Sequence, residues 1–150
     1  ISPVYAADPT PAPTLVPTNL FKLADPELEI TVWATTPQLK NPTNIDTDQY
    51  GRIWVAEGVN YRSQNNRQPA GDRIVVLEDT DGDGVYDKHK TFVDGLNIAT
   101  SFVQGRGGVW VLNPPYLLFY PDKNGDDVPD GAPEVRLRNR HDVPPVSGQH

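Results

Sequence analysis

The sequence contains no cysteine and no methionine in its 150 residues. Without cysteine, these residues form no disulfide, no thiolate metal site and no thioether-attached haem. The missing initiator methionine predicts that the N-terminus is processed or cut. No apolar run is long enough to cross a bilayer, so no transmembrane segment is predicted in this chain.

Positive charge is also scarce, with 13 basic residues against 20 acidic ones and a net charge of −7. Many of the acids fall in two short loops, and a chain of this charge is not expected to bind nucleic acid. Sixteen prolines and twelve glycines stand among short apolar runs. This composition predicts many turns and few long helices.

The first nineteen residues are unlike the rest. Residues 1–8 (ISPVYAAD) resemble the tail of a secretory signal with a cleavage site before Ala7, and an ordinary disordered leader is the alternative. Residues 8–19 alternate proline with alanine and threonine, which is typical of an extended linker. We therefore expect a signal-peptide remnant and linker over 1–19, a domain over 20–150 that is incomplete at its C-terminus, and an exported protein, periplasmic or at the cell surface.

An acidic loop at residues 79–87 (DTDGDGVYD) follows an apolar strand. A calcium loop takes oxygen ligands from positions one, three, five and nine, a carbonyl from seven, and a turn glycine at six. Position twelve is Lys90 and no amphipathic helix flanks the loop, so this is a calcium-type turn between strands and not an EF-hand. The alternative is an ion-free turn, because Asp and Gly also suit tight turns. The candidate ligands are Asp79, Asp81, Asp83, Val85 through its carbonyl oxygen, and Asp87.

A second acidic loop follows at residues 122–130 (DKNGDDVPD). It keeps oxygen-bearing side chains at positions one, three, five and nine, but it has Asp127 at position six and Pro129 in the turn. Calcium is again the hypothesis and an ion-free turn the alternative. The candidate ligands here are Asp122, Asn124, Asp126 and Asp130.

The chain holds two copies of one unit. Residues 51–55 (GRIWV) return as 107–111 (GGVWV), and the acidic loop that begins at Asp79 returns at Asp122. Period-two alternation predicts a further strand at residues 28–35 and four strands in each copy. The strands of the two copies are predicted near 43–47, 52–57, 73–78 and 90–93, and near 100–104, 108–112, 116–120 and 134–137.

Four short strands per repeat are typical of a β-propeller blade. Because a propeller needs at least four blades, the simplest interpretation is the N-terminal part of a longer protein with about two four-stranded blades present. The alternative is a small β-sandwich of two four-stranded sheets. Trp54 and Trp110, at equivalent places in the two copies, are expected to pack between blades.

The first copy carries an insertion at residues 58–72, where the second copy has only Asn113, Pro114 and Pro115. In an up-and-down blade this loop shares a rim with the blade-to-blade junction, and the acidic loops lie at the other rim. Long polar loops at one rim are where scaffolds carry function. The candidate substrate or cofactor residues at this rim are Glu57, Asn60, Tyr61, Arg62 and Asn97, with a paired strand-end charge as the alternative for Glu57 and plain solvation for the others.

Residues 42–46, 51–62, 71–84 and 94–97 together resemble the N-terminal propeller of the membrane-bound dehydrogenases of planctomycete-type bacteria (PVC-type haem-binding proteins). The dehydrogenases of this family are similar to soluble quinoprotein glucose and sorbosone dehydrogenases. The likeness covers residues 20–138 and is strongest over 51–97. It implies an all-β, six-bladed TolB-like propeller.

The resemblance further implies an exported enzyme that uses pyrroloquinoline quinone to oxidise a sugar or alcohol, joined in the full-length protein to a c-type cytochrome module. No quinone ligand or catalytic residue of the family can be matched in this chain, so the catalytic residues stay unassigned and the 150 residues alone are expected to be inactive. Two alternatives remain: a non-catalytic propeller that binds a glycan or a protein, and a calcium-dependent lactonase-like propeller.

Overall fold

The computed structural model describes residues 6–7, 17–60 and 69–138. Within these residues the chain is nearly all β, and its one helical element is a single 3-10 turn at Thr18–Leu20. The strands are β1 (Ala6–Ala7), β2 (Pro42–Thr47), β3 (Ile53–Glu57), β4 (Asp72–Glu78), β5 (Lys88–Leu96), β6 (Ser101–Gln104), β7 (Gly108–Asn113), β8 (Tyr116–Pro121) and β9 (Glu134–Arg138).

The strands form two antiparallel sheets, in which β2 to β5 and β6 to β9 are neighbours in chain order. The first sheet runs β1-β5-β4-β3-β2, in which the two-residue β1 pairs with the start of β5. The second sheet runs β6-β7-β8-β9. The predicted all-β fold of two consecutive four-stranded, blade-like units is confirmed, and the fold is that of a partial propeller.

The two sheets pack face to face around one apolar core. Trp54, Ala56, Ile74 and Val76 of the first sheet meet residues of the second, among them Phe102, Val109, Val111 and Leu118. The Trp54 ring lies 5.4 Å from that of Phe92 and 6.4 Å from that of Phe102, centroid to centroid. The prediction that Trp54 packs between the two units is therefore confirmed, and burial of this face is what joins the units.

The predicted strand at residues 28–35 is wrong. This segment is irregular. Its Trp33 and Ala34, with Leu39 just beyond it, lie over the other face of the first sheet, against Val55, Val75, Leu77 and Tyr86. Alternating hydrophobicity predicts that every second side chain meets an apolar surface. Here Leu28 is 61% exposed, and the segment packs on the face of the sheet through Trp33 and Ala34.

The connections place the polar loops at two opposite rims. The turns β2-β3 and β6-β7 and the acidic loops β4-β5 and β8-β9 lie at one rim. The long connection β3-β4 and the junction β5-β6 lie at the other, where the N–H of Gly95 donates to the carbonyl of Ala70 at 3.1 Å. No helix of the described residues is long and apolar enough to span a membrane.

Candidate functional site

The first acidic loop, residues 79–87, is folded around the carboxylate of Asp79. This carboxylate accepts backbone N–H groups from Gly82 at 2.7 Å and Gly84 at 2.9 Å. Both glycines have positive φ, +78° and +84°, a conformation that costs other residues free energy. The glycines at positions four and six therefore let the chain turn back on the first carboxylate.

The same loop brings three carboxylates together. Asp79, Asp81 and Asp87 each offer an oxygen, and these oxygens lie within 4.8 Å of one another. The other two predicted ligands bond to each other, since the carboxylate of Asp83 accepts the N–H of Val85 at 2.8 Å. Asp87 also accepts the backbone N–H and the hydroxyl of Thr80. The structure thus gathers three of the five predicted ligands and places Asp83 outside that group.

The electrostatics of Asp79 follow from these contacts. Partial desolvation is the largest single influence and acts to raise its pKa. The N–H groups of Gly84, Gly82 and Asp83 together outweigh it and hold the pKa below the ordinary value of an aspartate. Asp79 is therefore ionised at neutral pH, which is the form that a cation requires.

The second acidic loop, residues 122–130, repeats this conformation. The carboxylate of Asp122 accepts the N–H of Asp126 at 3.2 Å and of Asp127 at 3.1 Å, and the carboxylate of Asp126 accepts that of Val128 at 3.0 Å. Asp130 closes the loop by accepting the N–H of Lys123 at 2.9 Å, as Asp87 does with Thr80. Asn124 supplies the amide at position three. Two loops of different sequence therefore share one network of turns.

The side chain at position six is what separates the loops. Asp127 has a φ of +58° and is 5% exposed, and its carboxylate is bound by both terminal nitrogens of Arg52, at 2.6 and 3.0 Å. The ε-nitrogen of Arg52 donates to Asp48 at 2.7 Å. The ammonium of Lys90 donates to the carbonyl of Asp126. Side chains of the first sheet therefore hold the second acidic loop.

The ionisation of this network is set by its hydrogen bonds and burial. The hydrogen bond with Asp127 is the main cause that raises the pKa of Arg52, and Asp48 adds to it against an opposing effect of burial. Burial also acts to raise the pKa of Asp48, but donors from Trp54 and Arg52 outweigh it and leave the pKa lowered. For Asp122 the effect of burial exceeds that of the backbone N–H donors, so its pKa is raised.

A groove of about 470 Å³ opens at this rim, between the two sheets. Asp48, Arg52 and Asp127 form part of its wall, and Tyr50, which is 74% exposed, lies at its edge. The guanidinium of Arg52 lies 5.5 Å from the centre of the Tyr50 ring. Arg52, Asp48 and Asp127 in its wall are paired with one another, so this part of the groove is a seam between the sheets.

Glu57, a candidate at the opposite rim, is fully buried at the end of β3. Its carboxylate accepts the N–H of Lys40 at 2.7 Å and is paired with the guanidinium of Arg73. Arg73 also donates to the carbonyl of Gln38 at 3.3 Å. These contacts anchor residues 38–40 to the sheet, which is the arrangement of a paired strand-end charge.

The other candidates of this rim are organised by Asp72, a residue that the sequence analysis did not single out. Its fully buried carboxylate accepts the N–H of Asn60 at 2.8 Å and of Ala99 at 2.9 Å. The N–H of Asn97 donates to the side chain of Asn113 at 2.8 Å. The structure thus brings Asn60 close to the junction that carries Asn97, whereas the candidates Tyr61 and Arg62 lie outside the described residues.

Arg52, Asp72 and Asp127 take part in the main polar contacts, and none was predicted. Each acts across a long stretch of chain: Arg52 and Asp127 are 75 residues apart, and Asp72 and Ala99 are 27 apart. The one local signal was Asp127 itself, because it stands where a calcium loop has its turn glycine and few non-glycine residues adopt a positive φ.

Comparison with known proteins gives one match. The sequence profile of a protein family described as Domain of unknown function (DUF7133) matches residues 20–136. No curated protein and no solved structure matches the chain. The matched residues include both sheets except the terminal strand β1 and the last residues of β9, together with both acidic loops. Because the profile covers most of the chain, the protein belongs to this DUF7133 family.

Proposed function

We propose that the first acidic loop binds one calcium ion as a structural ion of an exported, propeller-type protein. The observation that supports this proposal is the convergence of Asp79, Asp81 and Asp87, whose oxygens lie within 4.8 Å of one another. Three carboxylates at that separation repel one another, and a divalent cation would convert the repulsion into attraction.

The donor set fits calcium. Calcium takes six to eight oxygen ligands, typically carboxylates, carbonyls and water, and tolerates an irregular geometry. The loop is mostly exposed, so water is available to complete the coordination. Exported proteins meet calcium at concentrations that fill weak sites, so a site of this kind would be occupied outside the cytoplasm.

The ion would stabilise the contact between the loop and the segment that covers the first sheet. A side chain at Gly84 would meet the hydroxyl of Thr31 at 3.3 Å, so the turn lies closely against this segment. The N–H of Tyr86 donates to the carbonyl of Trp33 at 3.4 Å, and the Tyr86 ring is buried under the same segment. An ion that fixes residues 79–87 therefore also fixes the cover of one sheet face.

The wider activity follows from the resemblance alone. A quinoprotein-type sugar or alcohol dehydrogenase is the activity that the resemblance implies, with Glu57, Asn60 and Asn97 at the rim that would face a substrate. Pyrroloquinoline quinone would accept a hydride equivalent from the alcohol carbon in such an enzyme. Among the described residues we match none to a quinone ligand, and the Glu57 carboxylate is already paired with Arg73. We therefore assign no catalytic step to these residues.

The calcium proposal is tested by calorimetric titration of the purified chain with calcium chloride after treatment with a chelator. We expect saturable binding of one ion, lost in Asp81→Ala and retained in Asn124→Ala, the matched change at position three of the second loop. Asp83 lies outside the converging group, so Asp83→Ala should weaken binding less than Asp81→Ala. Folded protein without a heat of binding, or equal loss in Asp81→Ala and Asn124→Ala, would refute the proposal.

The expectation that these 150 residues alone are inactive has a separate test. The chain is mixed with pyrroloquinoline quinone, calcium and a panel of aldoses and simple alcohols, and reduction of an artificial dye is followed. We expect no turnover, because none of the described residues is matched to a quinone ligand and the Glu57 carboxylate is paired with Arg73. Turnover by this chain would contradict the expectation.

A further inference from the structure

The groove between the two sheets is lined by two walls that come from different parts of the chain. Residues 46–50, at the end of β2 and in the turn into β3, form one wall. Gln104, the glycines of the turn β6-β7 and part of the second acidic loop form the other. Trp54 and Val109, each 2% exposed, line its inner part. A polar groove of about 470 Å³ with an apolar inner part has the size and character of a site for a small organic group.

Negative charge exceeds positive charge in this groove. Its lining holds four carboxylates and one basic side chain, Arg52. Arg52 neutralises Asp48 and Asp127, to which it is hydrogen-bonded. The other two carboxylates, Asp46 and Asp122, have no basic partner among the described residues, and each belongs to a different wall. The groove therefore carries one unbalanced negative charge on each side.

Backbone donors hold the two unbalanced carboxylates in place. Asp46 accepts the N–H of Thr47 at 2.9 Å, and Asp122 accepts those of Asp126 and Asp127. A backbone N–H carries no net charge, so these bonds orient the carboxylates without neutralising them. Desolvation raises the pKa of Asp122, and the negative charge of Asp126 adds to this effect. A cation in the groove would relieve this cost.

Two further side chains define what kind of cation fits. The Tyr50 ring is 74% exposed at the edge of the groove, and an aromatic ring attracts cations to its face. The Nε2 atom of Gln104 is buried and has no hydrogen-bond partner in the described part of the chain. A buried donor without an acceptor costs free energy. Because Gln104 lines the groove, rotation of its amide can present this donor to a ligand that carries an acceptor oxygen.

We propose that the groove binds a lysine side chain of a partner protein together with the backbone carbonyl of the same lysine. Asp46 and Asp122 balance the ammonium group, the Tyr50 ring contacts it, and Gln104 donates to the carbonyl. An ammonium group suits this arrangement because its three N–H donors point in different directions and can serve carboxylates on two walls. A guanidinium is a planar fork that pairs best with one carboxylate.

Two other occupants fit less well. A bare metal ion needs ligands that converge closely, and in the described ranges the carboxylates that do so belong to the first acidic loop. A free alkylamine would balance Asp46 and Asp122 but would leave the Nε2 atom of Gln104 without an acceptor. A lysine within a peptide provides the ammonium group and the carbonyl on one ligand.

Three small probes separate these possibilities. N-acetyl-lysine methylamide carries the ammonium group and the carbonyls, its norleucine analogue lacks the charge, and n-pentylamine lacks the carbonyls. Each is titrated in chelator while the backbone amide NMR signals of Gly105 and Gly107, which line the groove, are followed. We expect saturable shifts with the lysine probe, at least about tenfold weaker binding of the norleucine probe, and about fivefold weaker binding of pentylamine.

Variants assign the binding to the groove. Asp46→Asn keeps an acceptor for the N–H of Thr47 but removes the charge, and it should weaken the lysine probe about threefold to fivefold. Asp94→Asn makes the same change in net charge at an exposed position of the opposite rim and should have no effect. Gln104→Met should weaken the lysine probe and leave pentylamine unchanged, since pentylamine has no carbonyl to accept from Gln104.

Four results would overturn the proposal. They are the absence of saturable shifts with the lysine probe, equal affinity for the lysine and norleucine probes, and equal weakening in Asp46→Asn and Asp94→Asn. The fourth is pentylamine binding as tight as that of the lysine probe, because a free amine would then be the ligand.

Discussion

The two acidic loops have one backbone conformation and two different environments. In each loop the first aspartate accepts the N–H of position six, and position nine accepts the N–H of position two. In the first loop three carboxylates converge on open solvent, whereas the described residues show no such convergence in the second. Asp127 of the second loop is instead bound to Arg52 of the other sheet. The spacing of the aspartates therefore determines the backbone conformation of the turn. The residues packed around the turn determine whether its carboxylates can converge on an ion or bind the other sheet.

The largest expected effect concerns the inter-sheet contact. Arg52→Gln would leave the buried carboxylates of Asp127 and Asp48 without their cation, and we expect it to lower the free energy of unfolding by about 3 kcal/mol. Urea unfolding measures this loss. Arg136→Gln is the matched control, because its partner Glu134 is about half exposed, and it should cost less than about 1 kcal/mol. Equal losses in the two variants would contradict the role given to Arg52.

Calcium should stabilise the protein through the first loop alone. At a free concentration of about 100 times Kd, a single site on the folded state adds about 2.7 kcal/mol to the free energy of unfolding. We expect that gain in the wild type and in Asn124→Ala, and its absence in Asp81→Ala. Thermal unfolding in calcium and in chelator measures the difference. A gain that persists in Asp81→Ala would assign the effect to another site.

A substitution at position six of the first acidic loop tests how tightly that turn is held. Gly84→Ala places a side chain at a φ of +84° and 3.3 Å from the Thr31 hydroxyl, and it should cost about 1–2 kcal/mol. Gly131→Ala is the control, since its side chain would meet nothing within 4 Å and the residue has no positive φ. Urea unfolding of both variants checks this. A neutral Gly84→Ala would show that the turn is not held as tightly as its contacts imply.

The smallest expected effect is a dependence on pH. The folded pKa of Asp48 lies below its unfolded value of 3.8, because donors from Trp54 and Arg52 favour the carboxylate against the effect of burial. Its contribution to stability is therefore complete above the unfolded pKa and is lost as the pH falls through the folded pKa. In chelator, Asp48→Asn should flatten the fall in stability below about pH 4. An acid profile identical to that of the wild type would contradict this.

The strands were predicted well because two independent features of the sequence agree. Alternating hydrophobicity and the internal repeat both point to the same eight strands, and the observed bounds lie within a few residues of those expected. The same alternation was misleading at residues 28–35, where Leu28 is 61% exposed and the side chains that pack on the face of the sheet are Trp33 and Ala34. The acidic loops were found because their hydrogen bonds are local, so spacing along the chain determines them.

The contacts between the sheets could not be found in this way. Asp72 joins the insertion to the blade junction and Arg52 reaches the second acidic loop, and in both cases the partner is distant in sequence. Neither partner can be identified from one sequence, because any buried aspartate or arginine in these loops would give the same local pattern. The role of Arg52 appears only when the fold brings the two sheets together.

The central claim is that calcium belongs to the first acidic loop and not to the second. Its most direct test is a calcium titration followed by the backbone amide NMR signals of Gly82 and Gly84 in the first loop and Gly125 in the second. We expect the signals of Gly82 and Gly84 to shift in a saturable way, while the Gly125 signal stays in place. Equal shifts in both loops, or no shift in either, would contradict the account.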